Sequence, residues 1–381
     1  MSKTRIPPKV VLELWTRAAG RCEMRSCNKF LFDSVTSPES FNGAEMAHII
    51  ANLAKGPRGV EKESAKLAKD VNNLMLLCPS CHNEIDKSEN LEYFTIELLT
   101  NMKKEHEDRI RLVTGITEDQ DCHVITYYAG ISDIDNFFTE KRIKSELLPD
   151  YFTHFPHINL GMSGRYDKDN TEKYWIDEEN NLVNNFNKKV RPIIEENEVN
   201  SFAVFALAPI PLLIKLGALL DDKVSSAVYQ KHRNPDTWKW LEEDIRDFDY
   251  KIIYPEKISN NIALNLSLSG TITDDRIQAV FPDKDIDICT LTIKNPNFDY
   301  LMTKEQLEIF SVKINQILDR LKEMYGHNNN LHVFPACPSS IAIEIGRRWF
   351  KKADLNLVIY DENRSKGGFI KAMEITSEYH K

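Results

Sequence analysis

The chain has 381 residues, 42% hydrophobic and 28% charged, which is the balance of a globular protein too long for one ordinary core, so two or three domains are expected. Its net charge of −9 argues against a general nucleic-acid binder, but the charge is uneven. Residues 1–115 balance at +1 and the remainder at −10, so any DNA contact is assigned to the N-terminal part and to a local patch. Seven cysteines, four of them in paired spacings, point to a metal site in a reducing compartment rather than a disulfide framework.

No apolar run follows the amino terminus, so a secretory leader is not expected and the protein is read as cytoplasmic. Pro8–Ala19 reads as a helix, with proline at its start and Gly20 at its end. A strand is expected around Phe30–Phe32, then a turn-rich stretch over Ser34–Gly43, then a strand over Glu45–Ile50. Residues 54–70 form a charged loop with a short helix. Asn73–Leu77 leads into the second cysteine pair, Glu84 onward turns helical, and Phe94–Ile110 is amphipathic.

Cys22-x4-Cys27 and Cys78-x2-Cys81 form a strong structural zinc signal, because four thiolates close a tetrahedral site. A second constellation accompanies it: Ala47-His48-Ile49, then Asn73-Leu74-x-x-Leu77-Cys78-x-x-Cys81-His82, with Asp86 one helical turn on. Over roughly residues 12–110 this order closely resembles the HNH endonucleases, the ββα-metal nucleases with zinc knuckles. The resemblance implies His48 as general base, Asn73 orienting it, and His82 with Asp86 holding a catalytic divalent ion such as Mg²⁺. Such roles suit phosphodiester hydrolysis, which needs a base for water and a cation for the leaving oxygen. Many members carry Asp or His before the base; here Ala47 stands there, so weak metal affinity is expected unless Glu45 helps. Asn72 competes with Asn73 for the orienting role. Lys55, Arg58, Lys62, Lys66 and Lys69 are candidates for DNA phosphates.

Thr117–Asp121 is the best junction, dividing the chain into 1–115 and 116–381. His123–Tyr128 is strand-like, Phe137–Leu147 helical, 161–181 a polar excursion, and Leu182–Asn197 a helix. The apolar stretch Phe202–Leu220 contains Pro209, Pro211, Lys215 and Gly217, so a strand, loop and helix are expected there rather than a membrane span.

An internal repeat follows. Val204-Phe205-x3-Pro209-x4-Ile214-x2-Gly217 recurs 129 residues later as Val333-Phe334-x3-Pro338-x4-Ile343-x2-Gly346. Each copy reads as strand, proline loop and helix of an open α/β sheet, where ligands sit beyond the carboxyl ends of strands. Candidate ligand-binding residues are Pro209 and Ile210, Tyr229, Gln230, Arg233 and Trp238, and Pro338, Ser339 and Ser340 at the second helix start.

Residues 202–240, with Ala208-Pro209-Ile210-Pro211, and 331–360, with Phe334-Pro335-Ala336-Cys337-Pro338, resemble the SAVED domain over roughly 120–381. The fold class is thus an α+β ββα-metal (HNH) domain with a structural zinc, joined to an α/β SAVED domain of tandem CARF-like modules. The pairing resembles the HNH–SAVED effectors of CBASS antiphage systems. That resemblance implies a cyclic oligonucleotide activator from a CD-NTase synthase, with a cGAMP-type dinucleotide favoured. It also implies double-stranded DNA as substrate and a homo-oligomer, a dimer that assembles further on activation. Two other readings stay open: a modification-dependent restriction endonuclease, and a non-catalytic zinc-knuckle regulator binding nucleic acid.

Overall fold

The computed structural model describes residues 5–32, 43–117, 121–130, 138–147, 151–152, 157–161, 171–196, 199–242, 249–363 and 367–376. The chain divides into two compact units, Met1–Ile116 and Thr117–Lys381.

The first unit contains α1 (Pro8–Ala18), β1 (Glu45–His48), α2 (Ser64–Leu67), β2 (Leu74–Leu77), α3 (Pro79–Asp86) and α4 (Ile96–Thr114). Proline opens α1, and left-handed Ala19 and Gly20 close it through bonds to Thr16 and Trp15 carbonyls. Phe30 forms only an isolated bridge to Arg21, so the strand expected at Phe30–Phe32 is absent. The turn-rich residues 34–42 lie outside the described residues. β1 and β2 pair antiparallel, Glu45 facing Leu77 and His48 facing Leu74. β2 is apolar at every position and buried throughout, which lets α1, α3 and α4 pack around it with Leu14, Ile85, Leu99 and Met102. α3 starts at Pro79 and not at Glu84, because proline directly after extended Cys78 is preset for a first helical turn. His82 and Asp86 consequently share one helix. Thr95 caps α4 by accepting from the Leu98 amide.

The second unit holds two sheets. β3 (Asp121–Tyr128), β4 (Tyr151–Phe152), β5 (Ile158–Asn159), β6 (Ser201–Leu207) and β7 (Ser225–Tyr229) form the first, ordered β4-β3-β6-β7 with β5 also on β3. All its pairings are parallel. α5 (Glu140–Leu147), α6 (Glu172–Lys189), α7 (Arg191–Glu195) and α8 (Ile210–Leu220) accompany it. Phe137 and residues 162–170 of the predicted excursion lie outside the described residues. From Glu172 onward that excursion is helix. Thr171 caps α6 and its apolar face begins at Tyr174 and Trp175, ahead of the Leu182 predicted as the start.

β8 (Tyr250–Ile253), β9 (Ile262–Ser267), β10 (Asp287–Ile293), β11 (Asn330–Ala336), β12 (Asn356–Asn363) and β13 (Gly368–Ile375) form the second sheet, ordered β13-β12-β11-β9-β10-β8. Its helices are α9 (Asp274–Gln278), α10 (Lys304–Tyr325) and α11 (Ser339–Arg348). The parallel trio β3-β6-β7 corresponds to β9-β11-β12.

The repeated glycines explain how the halves join. A Cβ at Gly217 would lie 2.0 Å from the carbonyl oxygen of Ile343, and one at Gly346 would lie 2.0 Å from that of Ile214. These contacts are reciprocal under the repeat, so α8 and α11 cross backbone to backbone about a pseudo-two-fold axis. No other residue allows that approach. Gly217→Val is therefore expected to destabilise this unit by about 3 kcal/mol or more, since overpacking here meets backbone rather than yielding side chains. Urea denaturation measures it; an unchanged midpoint would contradict the crossing. Among the described residues, no helix is long and apolar enough to span a membrane.

Candidate functional site

In the first unit, the sulfurs of Cys22, Cys27, Cys78 and Cys81 all lie within 4.8 Å of one another. A zinc ion with bonds of about 2.3 Å needs sulfurs roughly 3.8 Å apart, so the set fits with little movement. The Cys78 amide donates to the Cys22 sulfur at 3.3 Å. Burial pushes Cys22 up to about 12, and burial with the Cys78 hydrogen bond pushes Cys81 well up. Burial also acts on Cys78, but hydrogen bonds from Cys81, Cys22 and Cys27 outweigh it and lower its pKa. Burial thus opposes ionising Cys22 and Cys81, and a bound cation would offset that cost. Every ligand position would be filled by protein, so such a site is structural.

His48 ends β1, half-buried. Its Nε2 lies 3.0 Å from the carbonyl oxygen of Ala68. A carbonyl only accepts, so Nε2 carries the proton and Nδ1 holds the lone pair that can take one from water. Nδ1 has no protein partner among the described residues. The hydrogen bond expected from Asn73 to this ring is not formed. Asn73 Oδ1 accepts from the Ile50 amide at 2.8 Å, while Nδ2 donates to Ile50 and Leu67 carbonyls at 2.9 and 3.2 Å. Asn73 therefore pins the backbone just past the base, and the Ala68 carbonyl orients the ring. The rival Asn72 Oδ1 accepts from Arg17 at 3.1 Å instead.

His82 Nε2 and Asp86 Oδ2 converge at 3.4 Å across one turn of α3. Two adjacent ligands of an octahedral ion at about 2.1 Å stand about 3 Å apart, so the pair fits a divalent cation. Glu45 Oε2 takes the other ring nitrogen, Nδ1, at 2.5 Å. Glu45 thus orients the histidine from behind and does not converge with Asp86, the familiar arrangement of a carboxylate backing a ligating imidazole. Hydrogen bonding to Asp86, reinforced by Glu45, raises the His82 pKa. Burial acts to raise Asp86, but bonds from His82 and Arg58 outweigh it and hold it below the ordinary carboxylate range. Arg58 is no free phosphate contact: its side chain is only 5% exposed and reaches Asp86 Oδ1 at 2.6 Å. Lys55, Lys62, Lys66 and Lys69 are exposed, and the last two flank the Ala68 carbonyl that holds His48.

In the second unit a cavity of about 820 Å³ opens at the carboxyl ends of strands from both sheets. Its walls follow the pseudo-symmetry: Leu207 answers Ala336, Ile210 answers Ser339, Gln230 answers Asp361 and Lys231 answers Glu362. Of the predicted ligand residues, Ile210, Gln230, Arg233, Pro338 and Ser339 line it. Pro209, Tyr229, Trp238 and Ser340 do not. Pro209 supplies the N-cap of α8. Tyr229 stacks on Phe205 at 4.3 Å, and Trp238 is buried edge-on against the same ring. Ser340 is fully buried, and both its amide and hydroxyl donate to Gln230 Oε1, at 3.2 and 2.8 Å. A glutamine from the first half therefore caps α11 at the helix start where Ser340 is expected to meet a ligand.

Sequence reasoning missed most of the far wall: Ser269–Ile272, Arg276, Phe298, Asp299, Asp361 and Glu362, together with Lys231 and Asp236. The Ser269–Ile272 loop is held from beneath. Asn265 donates to the Ile272 carbonyl and the Ile272 amide to Ser267, both at 2.9 Å. Arg233 lies over the Phe298 ring at 5.7 Å, and Arg276 over Phe369 at 4.8 Å. Lys231 pairs with Asp236, and Arg276 with Glu362 at 2.9 Å. One cation-faced ring in the wall, Phe298 under Arg233, with the Arg276 guanidinium and with donors and acceptors on opposite walls, suits a ligand with planar bases and phosphates.

A cavity shared by two tandem α/β modules at their strand ends is the ligand site that open α/β sheets offer as a class. The chain belongs to the SAVED family: residues 182–375 match the SMODS-associated and fused to various effectors sensor domain. Among solved structures it is similar to the Acinetobacter baumannii Cap4 SAVED/CARF-domain containing receptor with the cyclic trinucleotide 2′3′3′-cAAA. Identity is 14%, coverage 84% of this chain and 67% of that one, and the TM-score 0.42. The Moraxella osloensis Cap4 SAVED/CARF-domain containing receptor is similar at 13% identity, over 76% of this chain and 59% of that one, with a TM-score of 0.37. No curated protein matches the sequence.

Proposed function

We propose that the protein is a DNA endonuclease switched on by a cyclic oligonucleotide. The nuclease reading rests on one observation: a half-buried histidine with a tethered Nε2 stands beside a helix on which His82 and Asp86 converge. In this reading His48 Nδ1 takes the proton from water and Ala68 keeps the ring turned toward it. His82 and Asp86 hold a divalent ion, with Glu45 fixing the imidazole from behind. When bound, the ion neutralises charge on the scissile phosphate and the leaving oxygen. Lys66 and Lys69 attract the DNA backbone next to the base. The four cysteines hold a structural zinc.

The gate is the cavity between the two modules. Its paired walls favour a ligand with approximate two-fold symmetry, a cyclic dinucleotide of cGAMP type, made by a CD-NTase synthase. Its unlike halves, Gln230 and Lys231 against Asp361 and Glu362, favour two unlike bases. Ligand binding then drives assembly of copies and cleavage of double-stranded DNA as an antiphage response. Activation requires the ligand to bind the active state more tightly than the resting one.

Titration of the full chain with cyclic di- and trinucleotides tests the gate. One ligand is expected to bind at micromolar affinity or better. Arg233→Ala, which removes the guanidinium above Phe298, is expected to weaken it about tenfold or more. Equal binding by the variant, or none by the wild type to any of the panel, would contradict the assignment.

A further inference from the structure

Arg58 is a candidate DNA-phosphate contact in the sequence but is held inward in the structure, and nothing in the proposed chemistry yet uses it. Its guanidinium makes a fan of bonds. Nε donates to the Ile49 carbonyl at 2.8 Å and Nη1 to the Ile85 carbonyl at 2.6 Å. Nη2 reaches Asp86 Oδ1 at 2.6 Å and lies 3.5 Å from the His48 carbonyl. These partners belong to two different elements. His48 ends the strand that carries the base and Ile49 follows it; Ile85 and Asp86 end the helix that carries the metal ligands.

The loop that delivers Arg58 is built tightly. Arg58 has a φ of +54°, a region costly for a residue with a side chain. A Cβ at Gly59 would lie 2.4 Å from the Ala54 carbonyl oxygen, and one at Gly56 2.7 Å from the Ala51 Cβ. The Ala51 amide closes the loop on the Pro57 carbonyl at 3.3 Å. A loop with two forced glycines and a left-handed arginine is shaped to aim one side chain inward.

We infer that Arg58 is a positioning residue of the nuclease site, fixing the base strand against the metal-binding helix and leaving Asp86 a single oxygen for the ion. This inference rests on the nuclease reading above. By holding Oδ1, the guanidinium turns Oδ2 toward His82 Nε2, so both donors face one point. Planar geometry is essential, because three forked directions must be met at once; lysine offers a charge without the fork.

The test uses Arg58→Lys and Arg58→Gln in the full chain. Mn²⁺ binding is measured by calorimetry without DNA, zinc by mass spectrometry, and plasmid cleavage as kcat and KM with activating ligand. Mn²⁺ affinity is expected to fall about tenfold in both variants, and kcat by about ten- to a hundredfold, as for other residues behind metal ligands. KM for DNA and zinc content should stay within about twofold of wild type. Unchanged Mn²⁺ affinity and kcat in Arg58→Lys would overturn the inference. So would loss of zinc and of cooperative unfolding in both variants, which would make Arg58 a folding residue only. A wild-type chain that neither binds Mn²⁺ nor cuts DNA overturns the nuclease reading itself, a distinguishable outcome.

Discussion

His48→Ala is expected to lower ligand-activated DNA cleavage by about 10³-fold, within the range of about 10² to 10⁴ typical of a general base. The variant should keep its zinc and its cyclic-nucleotide affinity. The reason lies in tautomer control. Ala68 accepts from Nε2, so of the two neutral tautomers the one with its lone pair on Nδ1 is selected. Removing the ring removes the proton acceptor without touching β2, whose buried leucines hold the unit together. Retained cleavage in the variant would exclude His48 as the base and favour the non-catalytic reading of the zinc-knuckle region.

Cys78→Ser, or stripping the wild type with a strong chelator, is expected to unfold residues 1–116 while leaving the second unit folded. Structural zinc contributes about 10 to 16 kcal/mol in small zinc domains, more than a unit of this size holds in reserve. The four cysteines tie the end of α1, the Cys22–Cys27 turn and the start of α3 to one point. Without the ion, the cysteine sulfurs would have nothing to converge on and the helix carrying His82 and Asp86 would lose its anchor. The second unit has its own large core around Phe186, Leu213, Phe310 and Ile343. Limited proteolysis and circular dichroism with and without chelator read this directly. An intact first unit with no bound zinc would contradict the assignment.

The parts legible in the sequence were those encoded at short range. Each cysteine pair and the His82–Asp86 turn are spacings of a few residues and are legible as such, whereas the meeting of the two pairs and the role of His48 are expectations carried by the resemblance to a known family. The repeat around Gly217 and Gly346 was legible as a pattern. Its physical cause, two helices crossing at backbone distance, appears only once both copies are folded together. The Asn73 role was misassigned because spacing names a residue but not its partner; the orienting group is a backbone carbonyl at Ala68, which leaves no mark in a sequence. Ser340 was misread for a similar reason. A free helix start is a sound anion site, but here Gln230, 110 residues earlier, fills it. Arg58 resembled the lysines around it, and only the flanking Gly56, Pro57 and Gly59 hinted at a rigid loop. Far-wall residues such as Phe298 and Glu362 reach the cavity through the meeting of two sheets, a long-range consequence that local patterns do not carry.

Gated cleavage is the central claim, and one assay reaches it. Supercoiled plasmid is incubated with the full chain and Mg²⁺, without ligand and with each member of a cyclic di- and trinucleotide panel. The account predicts intact plasmid without ligand and linear, then fragmented, DNA with one cyclic oligonucleotide. Equal cleavage with and without every ligand would contradict it.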